Sequence, residues 1–242
     1  APVILANKKI GETPLELIKR VAFNKTPVTY AGRLDPMAEG LMILLIGSEV
    51  KEKEKYLNLD KEYELTILLG VSTDTYDTLG IIKKIKMRDL PSPDEIKQAV
   101  KAIPKNYSQP YPPFSSKPVN GKPLWWWAKN NKLNEIKIPS KEVQIHKISI
   151  QEIKQRNLED LVLEIIKNIK KVKGNFRQQR TINLWKKMFE SNSDAKMTTI
   201  KLVVSCSSGT YMRSMANELG VAINTPALAL KIKRTKIGKF TF

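Results

Sequence analysis

Residues 32–40 read Gly-Arg-Leu-Asp-Pro-Met-Ala-Glu-Gly, and the apolar run Leu41-Met42-Ile43-Leu44-Leu45-Ile46 follows directly. One carboxylate, Asp35, therefore stands at a turn just before a segment that must be buried. Pro36 fixes its own φ and biases Asp35 away from the α region. Gly32 and Gly40 punctuate either side. An ordinary carboxylate is ionised near pH 7, so a group presented this way needs positioning more than activation to serve as a nucleophile. The plainer reading is a turn before a core strand, since Asp and Pro are common turn residues. A second stretch, Ser205-Cys206-Ser207-Ser208-Gly209-Thr210-Tyr211-Met212-Arg213-Ser214-Met215-Ala216-Asn217-Glu218-Leu219-Gly220, places an arginine one turn into a helix, after a strand and a Gly turn. A fixed guanidinium can hold a carboxylate bidentately and keep it charged when a ligand excludes water.

Other chemistries lack the residues they need. The 242-residue chain has one Cys, Cys206, and one His, His146. It can form no internal disulfide, which fits a reducing, cytoplasmic compartment. One Cys and one His make no zinc cluster, so no metal is expected. Any Ser-His-Asp or Cys-His arrangement would have to use His146, which lies in an alternating, strand-like segment between Ile145 and Lys147. No Walker-type loop or GxGxxG fingerprint occurs, so no nucleotide cofactor is expected. The formal net charge is +18. An excess that large points to nucleic acid first and an anionic membrane surface second. No apolar run approaches the roughly 18 residues of a membrane span, and no secretory signal opens the chain. A leader removed before Ala1 stays open.

The elements that must position Asp35 and Arg213 can be read from periodicity and caps. Pro2 to Ala6 is a short apolar strand. Thr13-Pro14-Leu15-Glu16 has a capping residue, Pro at the first helical position and Glu near the third, and a stripe of Leu15, Ile18, Val21 and Ala22 follows. Residues 41–46 are a strand and 49–58 a charged helix. Residues 62–71 and 79–86 read as strands, joined by a polar loop at 72–78. Ser92-Pro93-Asp94-Glu95 opens a helix with Ile96, Ala99, Val100 and Ile103 on one face. Residues 104–140, rich in Pro, Asn and Lys, read as an irregular loop; of Trp125, Trp126 and Trp127 within it, at least one must be exposed or pack on a partner. Residues 141–150 alternate as a strand. Leu158, Leu161, Val162, Ile165, Ile166 and Ile169 form an amphipathic stripe, Gly174 stops it, and a second helix covers about 176–190. Residues 151–197 thus predict an inserted, strongly basic helical hairpin at the periphery. A strand at 198–206, a helix at 211–219 ending at Gly220, and a strand at 228–238 close the chain.

Several segments match one family in its own order. The two stretches above, Lys61-Glu62-Tyr63-Glu64-Leu65, the Leu69–Asp77 segment with Thr73-Asp74-Thr75, Pro112-Pro113-Phe114-Ser115 with Val119-Asn120-Gly121-Lys122, and Arg234-Thr235-Lys236-Ile237-Gly238-Lys239-Phe240 resemble the TruB family of tRNA pseudouridine synthases. The matches span about residues 8–150 and 198–240; residues 151–197 fit poorly. The resemblance implies an α+β pseudouridine synthase fold: a mixed, mostly antiparallel central sheet flanked by helices, with residues 1–242 as one catalytic domain and residues 104–140 as an RNA-contacting loop. The C-terminal PUA domain of many members is expected to be absent, a departure from the family that makes the T-arm preference less secure than the reaction. It implies isomerisation of uridine to pseudouridine, at position 55 in the tRNA T-arm, by a monomer that needs no cofactor, metal or membrane. Asp35 falls at the family's catalytic aspartate and would attack the flipped uridine at ribose C1′ or uracil C6, a choice left open here. Arg213 matches the arginine that pairs with it, and Tyr63 the active-site tyrosine. Tyr30, Arg33, Asp77, Lys122 and Tyr211 fall at substrate-binding positions.

Tyr30 stands where many members have histidine; it can stack but cannot become cationic. The step Arg33-Leu34-Asp35 is also reminiscent of the RluA group, so the same reaction on another RNA stem-loop is an alternative, as is a non-catalytic RNA-binding module. The retained set of Asp35, Tyr63 and Arg213 argues against the module, because a mere binder gains nothing from a carboxylate that repels phosphate. From the charge alone, RNA affinity is expected to fall with salt with a log–log slope of about 0.7–0.9 per neutralised phosphate. Filter binding across a salt series checks this; a flat response would assign the charge to solubility.

Overall fold

The computed structural model describes residues 2–242. In chain order its elements are β1 (Val3–Lys8), α1 (Pro14–Val21), β2 (Val28–Ala31), β3 (Ala38–Ile46), a 3₁₀ turn (Gly47–Glu52) leading into α2 (Lys53–Leu57), β4 (Lys61–Leu69), β5 (Val71–Thr73), β6 (Ile82–Ile85), α3 (Pro93–Lys101), β7 (Asn106–Pro110), β8 (Pro118–Val119), β9 (Lys122–Pro123), α4 (Leu124–Lys129), a 3₁₀ turn (Leu133–Glu135), β10 (Ser140–Asn157), α5 (Leu158–Ile169), α6 (Gln178–Ser191), β11 (Lys196–Cys206), α7 (Met212–Ala222) and β12 (Ala227–Ile237). The main sheet has eight strands in the order β1-β3-β12-β4-β11-β10-β7, with β2 also paired to β3. Only β12 and β3 run parallel; the other neighbours are antiparallel. This is the mixed, mostly antiparallel α+β sheet expected from the sequence. No helix among the described residues is long and apolar enough to cross a membrane.

The continuous apolar run of β3 has a simple cause. Successive side chains of a strand point to opposite faces, and both faces of β3 are covered. Met42 and Leu44 join the main core with Leu65, Ile67, Leu202, Val204, Met215 and Leu219. Leu41, Ile43 and Leu45 pack instead with Tyr56 and Ile237. Helix α1 starts as its sequence dictates: the Thr13 hydroxyl accepts from the Glu16 amide and the Glu16 carboxylate accepts from the Thr13 amide. Such a reciprocal cap satisfies two amides that the helix itself leaves unpaired.

Three expectations need correction. Residues 104–140 are not irregular throughout. They carry β7, which extends the sheet beside β10, then the β8–β9 hairpin and α4. Of the three indoles only Trp125 is exposed, and Trp127 Nε1–H donates to the Val119 carbonyl at 3.0 Å. The segment 151–197 differs more. Residues 151–157 continue strand β10, so the hairpin comprises α5 and α6 alone. It is not peripheral either. Leu161, Ile165, Ile169, Ile182 and Trp185 form a second core with Leu68, Leu228, Leu230 and Met37, two residues beyond Asp35. The amphipathic stripe showed that these helices bury a face; it could not show that the face lies against the sheet beneath the Asp35 turn. Helix α7 also runs past Gly220 to Ala222, because Gly220 is buried where a Cβ would lie 2.6 Å from the Thr225 carbonyl oxygen.

Gly40 permits the one parallel pairing. Its φ is +111°, and a Cβ there would lie 2.3 Å from the Arg234 carbonyl oxygen on β12. A positive φ strains any L side chain and the backbone contact has no room to give. Gly40→Ala is expected to cost at least about 2 kcal/mol of stability, combining strain with displacement of β12. A downward shift of the urea midpoint without change of slope checks this.

Candidate active site

The Asp35 turn rests on buried cations. Lys8, at the end of β1, points its ammonium at the turn from below and donates to the carbonyls of Ala38 at 2.7 Å and Lys9 at 3.0 Å. Arg234, on β12, donates from Nε to the Leu41 carbonyl at 2.9 Å and from Nη2 to the Gly32 carbonyl at 2.8 Å. The two side chains thereby fix the backbone on both flanks of Asp35. Gly11 adds an amide bond to the Pro36 carbonyl at 2.8 Å. Burial lowers the Lys8 ammonium to about 8, an effect that the Asp35, Glu12 and Glu39 carboxylates only partly offset.

Arg213 reaches Asp35 from the opposite wall. It is the second residue of α7 rather than one turn in, and its side chain is 4% exposed against 36% for Asp35. Its Nε donates to Asp35 Oδ2 at 2.7 Å. Nη1 donates to the Thr75 carbonyl at 2.9 Å and Nη2 to the Phe114 carbonyl at 3.3 Å. The contact with Asp35 is therefore a single end-on bond, not the bidentate grip the residue type allows, and the two backbone carbonyls hold the guanidinium in that orientation. Among the described residues no donor reaches Asp35 Oδ1. Burial alone would lower the Arg213 pKa, but the charges of Asp35 and Asp77 outweigh it and hold the group above its ordinary value.

Asp77 is buried behind this pair. Its Oδ1 accepts from the Thr75 hydroxyl at 2.5 Å and the Leu79 amide at 3.0 Å. Burial pushes its carboxyl above the ordinary range, while Arg213 and Thr75 act in the opposite direction. Tyr63 lies on β4 opposite Arg234 and Val204. Burial raises its hydroxyl; the adjacent Arg234 lowers it, and Asp35 is near enough to add to the rise. Tyr211 caps the N-terminus of α7, with the Arg213 guanidinium 5.8 Å from its ring centroid and the Tyr111 ring edge-on at 5.6 Å. Asp35, Arg213, Asp77, Tyr63 and Tyr211 thus surround one site.

A model described as TruB family pseudouridylate synthase (N terminal domain) matches residues 19–169. The chain belongs to the TruB family. A protein named tRNA pseudouridine synthase B from Borrelia garinii subsp. bavariensis is 30% identical over 239 residues, which cover 98% of this chain and 70% of that protein. One of the same name from Chlamydia pneumoniae is 28% identical, covering 99% of this chain and 83% of its own length. Among solved structures, a chain in the crystal structure of a Cbf5-Nop10-Gar1 complex superposes with TM-score 0.58 at 18% identity, over 99% of this chain and 49% of that one. The chain spans about half of that structure's length, and the likeness shows the fold.

Within this TruB-family site, three of the residues selected from sequence stand apart. Tyr30 on β2 packs against the main core, with the Lys53 ammonium 5.2 Å from its ring centroid. Arg33 is exposed, and only its carbonyl is engaged, at 3.5 Å from Arg234 Nη1. Lys122 stacks on Trp126 at 4.1 Å. Among the described residues no hydrogen bond, ion pair or cation–π contact joins any of these three side chains to the Asp35–Arg213 pair. Sequence reasoning passed over Lys8 and Gln109 and quoted Arg234 only within a motif. Gln109 is buried; its Oε1 accepts from the Tyr211 amide at 2.9 Å and its Nε2 donates to the Tyr211 carbonyl at 3.3 Å. Nothing in the sequence separates Lys8 and Arg234 from the other 40 Lys and Arg residues of a chain that has 42.

Lys8 yields a pH prediction. The folded side chain releases its proton near pH 8, whereas the unfolded chain holds it to about 10.5. Between those values the unfolded state binds more protons, so stability rises with pH. The gain from Lys8 by pH 10 is about 2–3 kcal/mol, at 1.36 kcal/mol per pKa unit. Above pH 10 the raised hydroxyls of Tyr56 and Tyr211, each near 12, reverse the trend as the unfolded tyrosines ionise. Urea unfolding at pH 7 to 10 checks this, with Lys8→Met expected to remove its share of the rise. Lys61, likewise lowered to about 8 by burial, adds to the rise, and the Cys206 thiol, pushed up to about 12 by burial, opposes it above pH 9.

Proposed function

We propose that this chain isomerises uridine 55 in the T-arm of tRNA to pseudouridine, with Asp35 as the nucleophile. The broader statement rests on the family and on relatives named tRNA pseudouridine synthase B over nearly the whole chain: the protein is an isomerase, a tRNA pseudouridine synthase. The observation that carries the finer reading is the end-on pair. Arg213 takes one oxygen of Asp35 and leaves the other open in a partly exposed turn. A carboxylate held in this way is charged, oriented and accessible, which is what a nucleophile requires.

The chemistry follows from those groups. The glycosidic carbon and uracil ring of a stacked nucleotide are shielded, so the target must be extruded, at a cost of a few kcal/mol. Tyr63 and Tyr211 offer aromatic faces, and stacking on such faces offsets part of that cost. The free Asp35 oxygen bonds to ribose C1′ or adds to uracil C6. The N1–C1′ bond breaks with its electron pair staying on the uracil, which turns and bonds to ribose C1′ through C5. On the C1′ route the Asp35 ester bond breaks as that bond forms, on the C6 route it breaks afterwards, and the proton lost from C5 is matched by one gained at N1. Tyr63, a phenol whose hydroxyl burial raises above its ordinary value, borders the site and can relay that proton by donating one as it accepts another. Arg213 stays charged throughout and stabilises the carboxylate whenever it is released.

Metal-independent action by a cytoplasmic monomer completes the reading. Among the described residues no three His, Cys, Asp or Glu side chains gather as a metal site. Asp35→Asn keeps the shape and removes the nucleophile. It is expected to lower pseudouridine formation below about 1% of wild type, since losing a covalent route costs several kcal/mol of barrier. RNA affinity should hold or rise, because a phosphate-repelling charge is removed. Pseudouridine mapping on tRNA treated with each protein checks both. Product at another uridine with wild type would move the target while keeping the reaction, and turnover by Asp35→Asn would defeat the nucleophile.

A further inference from the structure

Arg177, at the start of α6, adopts φ +60°, a left-handed conformation uncommon for a residue with a side chain. From there its guanidinium makes a two-pronged contact with Asp74, Nη1 to Oδ2 at 2.6 Å and Nη2 to Oδ1 at 3.0 Å. The side chains are 26% and 16% exposed, so the pair is largely shielded. The same guanidinium lies 4.6 Å from the Phe114 ring centroid. Asp74 in turn accepts the Ile81 amide at 2.9 Å and closes the loop over residues 74–81. Gly80 fits inside that loop, since a Cβ there would lie 2.3 Å from the Thr75 hydroxyl oxygen. Helix α6 holds the far side of the loop: the Thr181 hydroxyl donates to the Leu79 carbonyl at 3.2 Å and Trp185 Nε1–H to the Thr78 carbonyl at 3.3 Å.

The residues on either side of Arg177 are therefore the ones that set Arg213. Asp74 precedes Thr75, and Thr75 and Phe114 supply the two carbonyls that occupy Arg213 Nη1 and Nη2. We propose that Arg177 is a positioning residue for the isomerisation: it ties Asp74 to Phe114 and so fixes both carbonyls that keep Arg213 end-on to Asp35. The hairpin of α5 and α6 is then part of the site's frame. Without Arg177 the two carbonyls move independently, Arg213 can swing to take both oxygens of Asp35, and the free oxygen is lost. This rests on the reaction assigned above.

The test compares Arg177→Ala, Arg177→Lys and Asp74→Asn with wild type on a tRNA transcript. Arg177→Ala is expected to slow the single-turnover rate about 10–100-fold with tRNA Kd changed less than about threefold, the signature of misplacement rather than lost binding. Arg177→Lys should recover only part of the rate, because a point charge cannot bridge as a planar fork does. The Arg213 Nε–H resonance in a ¹⁵N spectrum reports the bond to Asp35 and should shift in Arg177→Ala without RNA. A weakened Kd at unchanged rate would make Arg177 an RNA contact and overturn the proposal; unchanged rate and spectrum would reduce the pair to a surface ion pair and overturn it equally. If Arg177→Ala fails to fold, Asp74→Asn, which keeps the acceptor for Ile81, carries the same comparison. If wild type isomerises no uridine, the functional reading fails, while the Arg213 resonance still decides whether Arg177 positions it.

Discussion

A guanidinium taken out of water must have its charge and its N–H groups answered, since an unpaired buried charge costs several kcal/mol. Arg213 sets that demand at the centre of this molecule. Its three donor nitrogens meet a carboxylate and two backbone carbonyls drawn from segments 39 residues apart, Thr75 and Phe114. Both segments must therefore be rigid and must turn their carbonyls inward. The loop over residues 73–81 does so through internal bonds: the Thr73 hydroxyl to the Asp77 carbonyl at 2.5 Å, the Thr75 hydroxyl to the Asp77 carboxylate, and Asp74 to Ile81. Its polar composition is the cost of closing a short loop around buried donors without water.

Asp35 faces a related requirement. A carboxylate accessible to a substrate cannot be buried, so its backbone has to be held instead. Lys8 and Arg234 do this from beneath, donating to carbonyls and not to the carboxylate itself. Charged donors make stronger bonds to carbonyls than neutral ones, and their charge lies where an anionic side chain and an anionic ligand both benefit. Burial weakens Lys8 as a cation to about 8, the cost of using a lysine where no carboxylate touches it.

The legible parts of the chain were those with a period or a cap. The Asp35 turn stood out because Pro36 and a run buried on both faces follow it, and α1, α3 and α5 announced themselves by caps or stripes. Strand β7 and helix α4 did not, because Asn106–Pro110 is polar without alternation and the six residues Leu124–Lys129 are too few to show a helical stripe; tertiary pairing with β10 makes β7 a strand. The stripe of α5 revealed that a face is buried but not against what, since amphipathicity says nothing about the partner. Arg234, Lys8 and Arg177 were illegible for a different reason: in a chain so basic, a buried cation and a solvated one are the same letter. Only the acceptors distinguish them, and those come from residues distant in sequence.

The geometry at Asp35 turns on the orientation of one guanidinium. Arginine and carboxylate in isolation prefer two parallel bonds, which would occupy both oxygens and leave none for a substrate. The Thr75 and Phe114 carbonyls each take one N–H, from Nη1 and Nη2, and hold the guanidinium plane in the orientation in which its Nε meets Asp35 Oδ2. A lysine in place of Arg213 could neutralise Asp35 but could not also hold two diverging loops, because its ammonium lacks the fixed plane of the guanidinium. The same side chain thus shapes the loops and rations its own contact with the carboxylate. The open oxygen of Asp35 is a consequence of where two backbone carbonyls point, and hence of every element that aims them.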